Sequence, residues 1–390
     1  MANPPTRVRR FTPHPHSIPL LMGRLVTCLQ VTIFYVTLLF TSVFANYIPS
    51  TTTTGPVPIV TTSQAAFDGP KIGAVNSTVF DWWYFDGVSN DGQSSIVVVF
   101  YRSTQAIFLP VSSVDYVEVS IAFPNGSIFD ESFPASFSSV TTTSFGASGV
   151  WGTTASFQGT PDLSIYTITL NTGVVQGTFS LRSIAPAHYP DGHPPGSQAS
   201  TFVSPLLGWV NAIPAGTANC KIVVQGQPFS FTGVGYHDKN WGSLLLSETI
   251  TSWYWGHATV GDFSIVWFDV ISAVTSNRYS SVYLVKDGCI ILANNNTAFA
   301  SDEGFALVLP FGGNTVFPPP TDNLPLGFLI SFVGNNGELW TFKAEGKVAL
   351  DNNPGGTSGY TRWVGNVTGG QVGGDYSTGS GVWEWLRFDL

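Results

Sequence analysis

From residue 46 onward, apolar residues recur at every second position between Gly, Asn and Asp turn signals, and no stretch sustains a helical apolar period. A chain patterned in this way buries its apolar side chains on sheets, so the sequence predicts an all-β fold. Val117, Val119, Ile121 and Phe123 alternate with Tyr116, Glu118, Ser120 and Ala122, and Asn125-Gly126 follows as a tight hairpin turn. Asn90-Asp91-Gly92, Asp287-Gly288 and Asn335-Asn336-Gly337 repeat the signal. Strands at this spacing build sandwiches or barrels. The 41 Gly, 26 Pro, 12 Trp and 29 Phe fit tightly turned, aromatic-rich sheet.

The amino-terminal 45 residues follow a different rule. Arg7, Arg9 and Arg10 precede a nearly unbroken apolar run from Leu25 to Thr41, and Val43-Phe44-Ala45 offers a cleavage site, the layout of a signal peptide over residues 1–45. The run falls short of the roughly 20 residues a membrane span prefers, and no later segment is apolar for long enough. The expectation is therefore a soluble chain in the secretory pathway, secreted or lumenal, with an uncleaved anchor as the alternative. Four sequons, at Asn76, Asn125, Asn295 and Asn366, are expected glycan acceptors in that compartment. Cleavage removes Arg7, Arg9, Arg10 and Arg24 but no acid, moving the formal charge from −9 to −13, which argues against nucleic acid as a partner. Cys28 leaves as well, so Cys220 and Cys289 are the one disulfide open to the mature chain.

Residues 46–70, rich in Thr, Pro and Ser, read as an extended lead-in outside the core. A stretch crowded with Pro, Gly and Ser from Ile184 to Pro214 predicts a long loop without regular strand. Because one core stops growing at about 250 to 300 residues, two domains are expected. The boundary is placed near residue 220, giving domains at 71–220 and 221–390.

Three segments concentrate Trp with ionisable groups: Asp81-Trp82-Trp83-Tyr84-Phe85-Asp86, Tyr236-His237-Asp238-Lys239-Asn240-Trp241-Gly242, and Trp253-Tyr254-Trp255-Gly256-His257. In the first, alternation sends Asp81, Trp83 and Phe85 to one face and Trp82, Tyr84 and Asp86 to the other. The second packs an acid or base, a carboxylate, a cation and an amide between Tyr236 and Trp241. In the third, a two-residue hairpin at Gly261-Asp262 sets Val260 against Phe263 and Tyr254 against Asp269, so that Trp253, Trp255 and His257 share a face. A carboxyl or imidazole in such an apolar wall is shifted toward its neutral form, which suits it to general acid or base work. There is no Gly-x-Ser-x-Gly elbow, His-Glu-x-x-His, phosphate loop or dinucleotide fingerprint. His188 and His193 do not indicate a metal site, and no cofactor is expected.

These three motifs resemble those of the hydroxyneurosporene synthase-like superfamily, whose fungal branch includes kievitone hydratase, quinolone epoxide-rearrangement proteins and Diels-Alderases. The resemblance spans most of residues 71–390 in layout and is specific at the motifs. It implies an amino-terminal β-sandwich packed against a carboxy-terminal lipocalin-like β-barrel, with the substrate pocket between or inside them. The bacterial pattern has a second His where this chain carries Lys239, so that residue's role does not transfer. The family's shared chemistry implies cofactor-free work on a hydrophobic, prenylated small molecule. Asp238 and His237, with Lys239 beside them, are the candidate catalytic groups. Asp81, Trp82, Trp83, Tyr236, Asn240, Trp241, Trp253, Trp255, His257 and Asp269 are the candidate substrate-binding residues. The reading carried forward is an isomerase or cyclase of fungal secondary metabolism that opens an epoxide with acid assistance. A hydratase, a Diels-Alderase and a lipocalin-like carrier are the alternatives.

Overall fold

A computed structural model describes residues 45–104, 113–297, 304–312, 324–353 and 358–388; the expected signal peptide, Ala45 apart, lies outside them. Among the described residues every element is a strand except one turn of helix at Leu246–Thr249, as the two-residue period requires. No helix there is long and apolar enough to cross a membrane. The turn signals close hairpins where expected: Asn125-Gly126 joins Asp115–Ala122 to Ile128–Pro134, and Asp287-Gly288 joins Arg278–Lys286 to Cys289–Thr297. Gly126 has φ 82° and Gly288 φ 75°, the left-handed region that a glycine enters without steric cost.

Two antiparallel sheets carry the fold. The first has thirteen strands and takes the chain from Ala45 to Gly242. It curls on itself as a sandwich: Trp151 of one half meets Phe100 and Trp83 of the other, with ring centroids 5.0 and 5.6 Å apart. The second has nine strands, from Ile250 to Phe388, and rolls into a nearly closed barrel filled by Trp267, Phe328, Trp383 and Trp385. A third core fills the space between the sheets, with Trp82, Tyr84, Trp209 and Tyr236 from the first meeting Trp253, Trp255 and Phe268 from the second. Strand Phe80–Ser89 is buried along its whole length for this reason, with Trp83 and Phe85 serving the sandwich core and Trp82 and Tyr84 the core between the sheets.

The chain passes from one sheet to the other at residues 243–249. The boundary expected near 220 falls inside the hairpin of Leu207–Val224 and Gln227–Gly242, which stays in the first sheet throughout. Regular structure also begins earlier than the Pro-rich composition suggests, at Phe202–Ser204 and Leu207. Pro214 is tolerated because the ladder shifts register between Ile213 and Gly216, a bulge where its missing N–H goes unused. The remaining loop straps the two sheets together: Tyr283 and Ser281 of the barrel donate to the carbonyls of Pro186 and Pro190, each at 2.7 Å.

The lead-in is also part of the core. Ala45–Pro49 pairs with Phe137–Thr143, and Phe67 and Asp68 are buried. It supplies acceptors to two indoles of the first sheet: the Trp83 and Trp241 N–H groups donate at 2.8 Å to the carbonyls of Asp68 and Val60. Cys220 and Cys289 are not bonded to each other. Cys220 lies opposite Phe179 and Phe231 in the sandwich core, while Cys289 opens a barrel strand. Burial pushes the Cys220 thiol up to about 12.

Candidate active site

Between the sheets lies a pocket lined by Trp82, Tyr84, Tyr101, Asp238 and Asn240 from the first sheet and Trp253, Trp255, Phe268, Arg362 and Glu384 from the barrel. Antiparallel register explains the first-sheet wall. Asp238 pairs with Tyr84 and Asn240 with Trp82 across neighbouring strands, so their side chains stand together on one face. On the barrel side Trp255, Glu384 and Arg362 stand side by side across three strands.

Asp238 is the polar centre of the first wall. Its Oδ2 accepts the Trp209 indole N–H at 2.8 Å and the Tyr236 hydroxyl at 2.9 Å, and its Oδ1 accepts the Asn240 amide at 2.8 Å. Burial pushes its carboxyl up to about 7, against the pull of the Trp209 and Tyr236 hydrogen bonds toward the ionised form. Near neutral pH this carboxyl therefore both carries and yields a proton. Burial also raises the Tyr236 hydroxyl, which stays a neutral donor. The Tyr236 ring stacks on His257 at 4.3 Å, and His257 Nε2 meets Asp86 Oδ2 at 2.7 Å, an acid that also accepts the Tyr84 hydroxyl at 2.9 Å. Tyr84, Asp86 and His257 thus tie the two sheets together beside the pocket.

The same alternation carries part of the expected constellation elsewhere. His237, Lys239 and Trp241 point into the sandwich core, away from Asp238. His237 stacks on Phe85 at 3.9 Å, its Nδ1 donates to the Tyr84 carbonyl at 2.9 Å, and its Nε2 lies 3.2 Å from Asp68. Lys239 forms a buried ion pair with Asp81 over the Trp83 ring; burial draws its amine down to about 8 against the opposing pull of Asp81. Asp269 lies within the barrel and is held by the Arg278 guanidinium. Of the predicted residues, Trp82, Asp238, Asn240, Trp253 and Trp255 line the pocket, while Tyr236 and His257 stand directly behind it.

The sequence reading did not single out Trp209, Tyr101, Phe268, Arg362 or Glu384. Arg362 Nε donates to Glu384 Oε1 at 2.8 Å, and the Tyr360 hydroxyl donates to the same oxygen at 2.7 Å. The guanidinium carbon lies 5.4 Å from both the Tyr84 and Tyr360 rings. Among the sequons, Asn125 is exposed in its turn with its oxygen bound by Ser127, whereas the Asn76 and Asn295 amides donate to backbone carbonyls and Asn366 lies within a strand.

The chain is 31% identical over 343 residues to the quinolone epoxide rearrangement protein penF of Penicillium thymicola, covering 84% of this chain and 91% of that protein. It is 27% identical over 327 residues to the Diels-Alderase cheD of Chaetomium globosum, covering 82% of this chain and 77% of the relative. The crystal structure of CghA with Sch210972 superposes with a TM-score of 0.74 at 18% identity, over 88% of this chain and 99% of that one, and so shares the fold. The family model described as Diels-Alderase-like matches residues 45–389, and the chain belongs to that family.

Proposed function

We propose that the protein is a cofactor-free isomerase that opens the epoxide of a hydrophobic, prenylated molecule in the pocket between its two sheets. The observation that carries this is Asp238, a buried carboxyl held near pKa 7 in an aromatic wall. Its proton passes to the epoxide oxygen as the C–O bond at the more substituted carbon breaks. The faces of Trp82, Tyr84, Trp253 and Trp255 shelter the cation that develops, which a migrating bond or an internal oxygen then captures. Loss of a proton from the product cation returns Asp238 to its acid form, so no atom is gained or lost. Likeness to the epoxide rearrangement protein of Penicillium thymicola supports the reading, as does that family's place in fungal secondary metabolism.

A second reading, cycloaddition of a polyene, is favoured by the family description and by the Diels-Alderase relatives. It needs the shaped apolar walls and no proton donor. Incubating the purified protein with prenylated quinolones and their epoxides, and separately with a linear polyene, tests both by chromatography and mass analysis. An epoxide converted at unchanged mass supports the isomerase, and a gain of one water makes it a hydratase. Cyclisation of the polyene alone replaces the isomerase with the pericyclic reading, and ligand binding without conversion of either leaves a carrier. A secretory location belongs to the same proposal, with Asn125 the most accessible sequon; loss of mass on peptide-N-glycosidase treatment supports it, and an unmodified Asn125 in the protein from its native host counts against it.

A further inference from the structure

The barrel wall of the pocket holds donors that the protein leaves unused. Arg362 is 2% exposed, yet its Nη1 has no hydrogen-bond partner; Glu118 stands 3.7 Å away, too far to accept one. Trp253 is 4% exposed and its indole N–H is likewise unpartnered. Both residues line the pocket. Buried donors are costly to leave unmet; the barrel core leaves the Trp267, Trp383 and Trp385 N–H groups unpartnered as well, but Arg362 and Trp253 differ from these in lining the pocket, where a ligand can meet them.

From this we infer that Arg362 is the anchor for a carbonyl oxygen of the substrate, on the wall across from Asp238. The charge balance selects the ligand. Glu384 already neutralises the guanidinium through its 2.8 Å bond, and Glu118, pushed up to about 7 by burial, adds a second acid beside it. A carboxylate or phosphate would leave an uncompensated negative charge among Tyr84, Tyr360 and Trp255, whereas a ketone, amide or lactam oxygen meets the free N–H at no cost in charge. The inferred substrate is thus an apolar scaffold with a neutral carbonyl held at the barrel and its reacting group presented to the first sheet. This rests on the proposed use of the same pocket, but it is a statement about binding and is tested without turnover.

The probes are a prenylated quinolin-2-one and the matched scaffold with the carbonyl reduced to methylene, titrated against the full protein by tryptophan fluorescence. The wild type is expected to prefer the carbonyl probe by about tenfold or more, as for one hydrogen bond to a charged donor. Arg362→Lys keeps a cation for Glu384 but removes the planar second nitrogen, and is expected to erase most of that preference while leaving affinity for the methylene probe unchanged. Equal wild-type affinity for the two probes, or a preference that survives Arg362→Lys, overturns the assignment. If the variant does not fold, the isotope-edited infrared band of the bound carbonyl decides in the wild type: a shift to lower frequency than in apolar solvent supports the anchor, and an unshifted band refutes it. Failure of the epoxide assay with this preference intact would remove the proposed reaction and leave the carbonyl site standing.

Discussion

Replacing Asp238 by Asn tests the proposed chemistry at its centre, because the structure lets the amide fit. Asn Oδ1 can accept from Trp209 and Tyr236 as the carboxylate does, and Asn240 can rotate its amide to accept from the new N–H group. What is lost is the proton. General acid catalysis is worth about 10²–10⁴-fold, so turnover of the epoxide is expected to fall by that factor while binding of the carbonyl probe persists. The wild-type pH profile carries the same signature. With the carboxyl near pKa 7, about nine-tenths is protonated at pH 6 and about one-tenth at pH 8. Activity should therefore fall through neutrality and lose about tenfold per pH unit above it. Stability adds a second, independent reading. The folded value lies above the ordinary 3.8, so the native state holds the proton more tightly than the unfolded chain between about pH 4 and 7. The resulting stability is full below that window and is lost as pH rises through it, by an amount on the order of 4 kcal/mol for a shift of this size. Urea unfolding at pH 5 and pH 8 should show the decline in the wild type and a smaller one in Asp238→Asn. A variant that keeps more than a tenth of wild-type turnover, or a wild-type rate flat from pH 6 to 8, would refute the assignment of the acid.

Three further expectations follow from the neighbours. Trp209→Phe removes an N–H that favours ionised Asp238, so the falling limb of the pH–rate profile should move to higher pH, by up to about one unit; an unmoved midpoint would show that the bond does not tune the acid. Lys239→Met removes the ion-pair partner of buried Asp81, which keeps only the Lys71 backbone N–H, and should cost about 3–5 kcal/mol in chemical denaturation, with the protein that remains folded retaining its turnover. A selective loss of turnover at intact stability would instead return Lys239 to the reaction. Gly256→Ala drives a methyl into the Trp267 ring and against Trp383 inside the barrel, and should destabilise by about 1–3 kcal/mol, read as a lowered thermal midpoint.

The parts of this molecule that were legible in its sequence are those governed by local rules. Hairpin turns at Asn125-Gly126 and Gly261-Asp262 fixed register, so the pairing of Val260 with Phe263 and of Tyr254 with Asp269 could be computed from spacing alone, and both pairs are present. The same two-residue period, applied to Tyr236–Trp241, separates Tyr236, Asp238 and Asn240 from His237, Lys239 and Trp241. The alternation that divides Asp81–Asp86 between two cores divides these six in the same way, so they do not form one site. Arg362 and Glu384 were out of reach for a different reason. They meet across strands whose connection, at residues 372–376, is too long for turn chemistry to set the register. Yet Trp383-Glu384-Trp385 did carry a signal. In a strand buried on both faces a lone acid must find a cation, and Arg362, flanked by Thr361 and Trp363 in an equally buried stretch, was in need of an anion. Two buried opposite charges in consecutive strands constrain each other's facing, and their mutual pairing through Nε leaves the buried Nη1 for something else. It is this leftover donor, invisible to any local pattern, that turns an apolar cleft between two sheets into a site with a preferred orientation for its ligand.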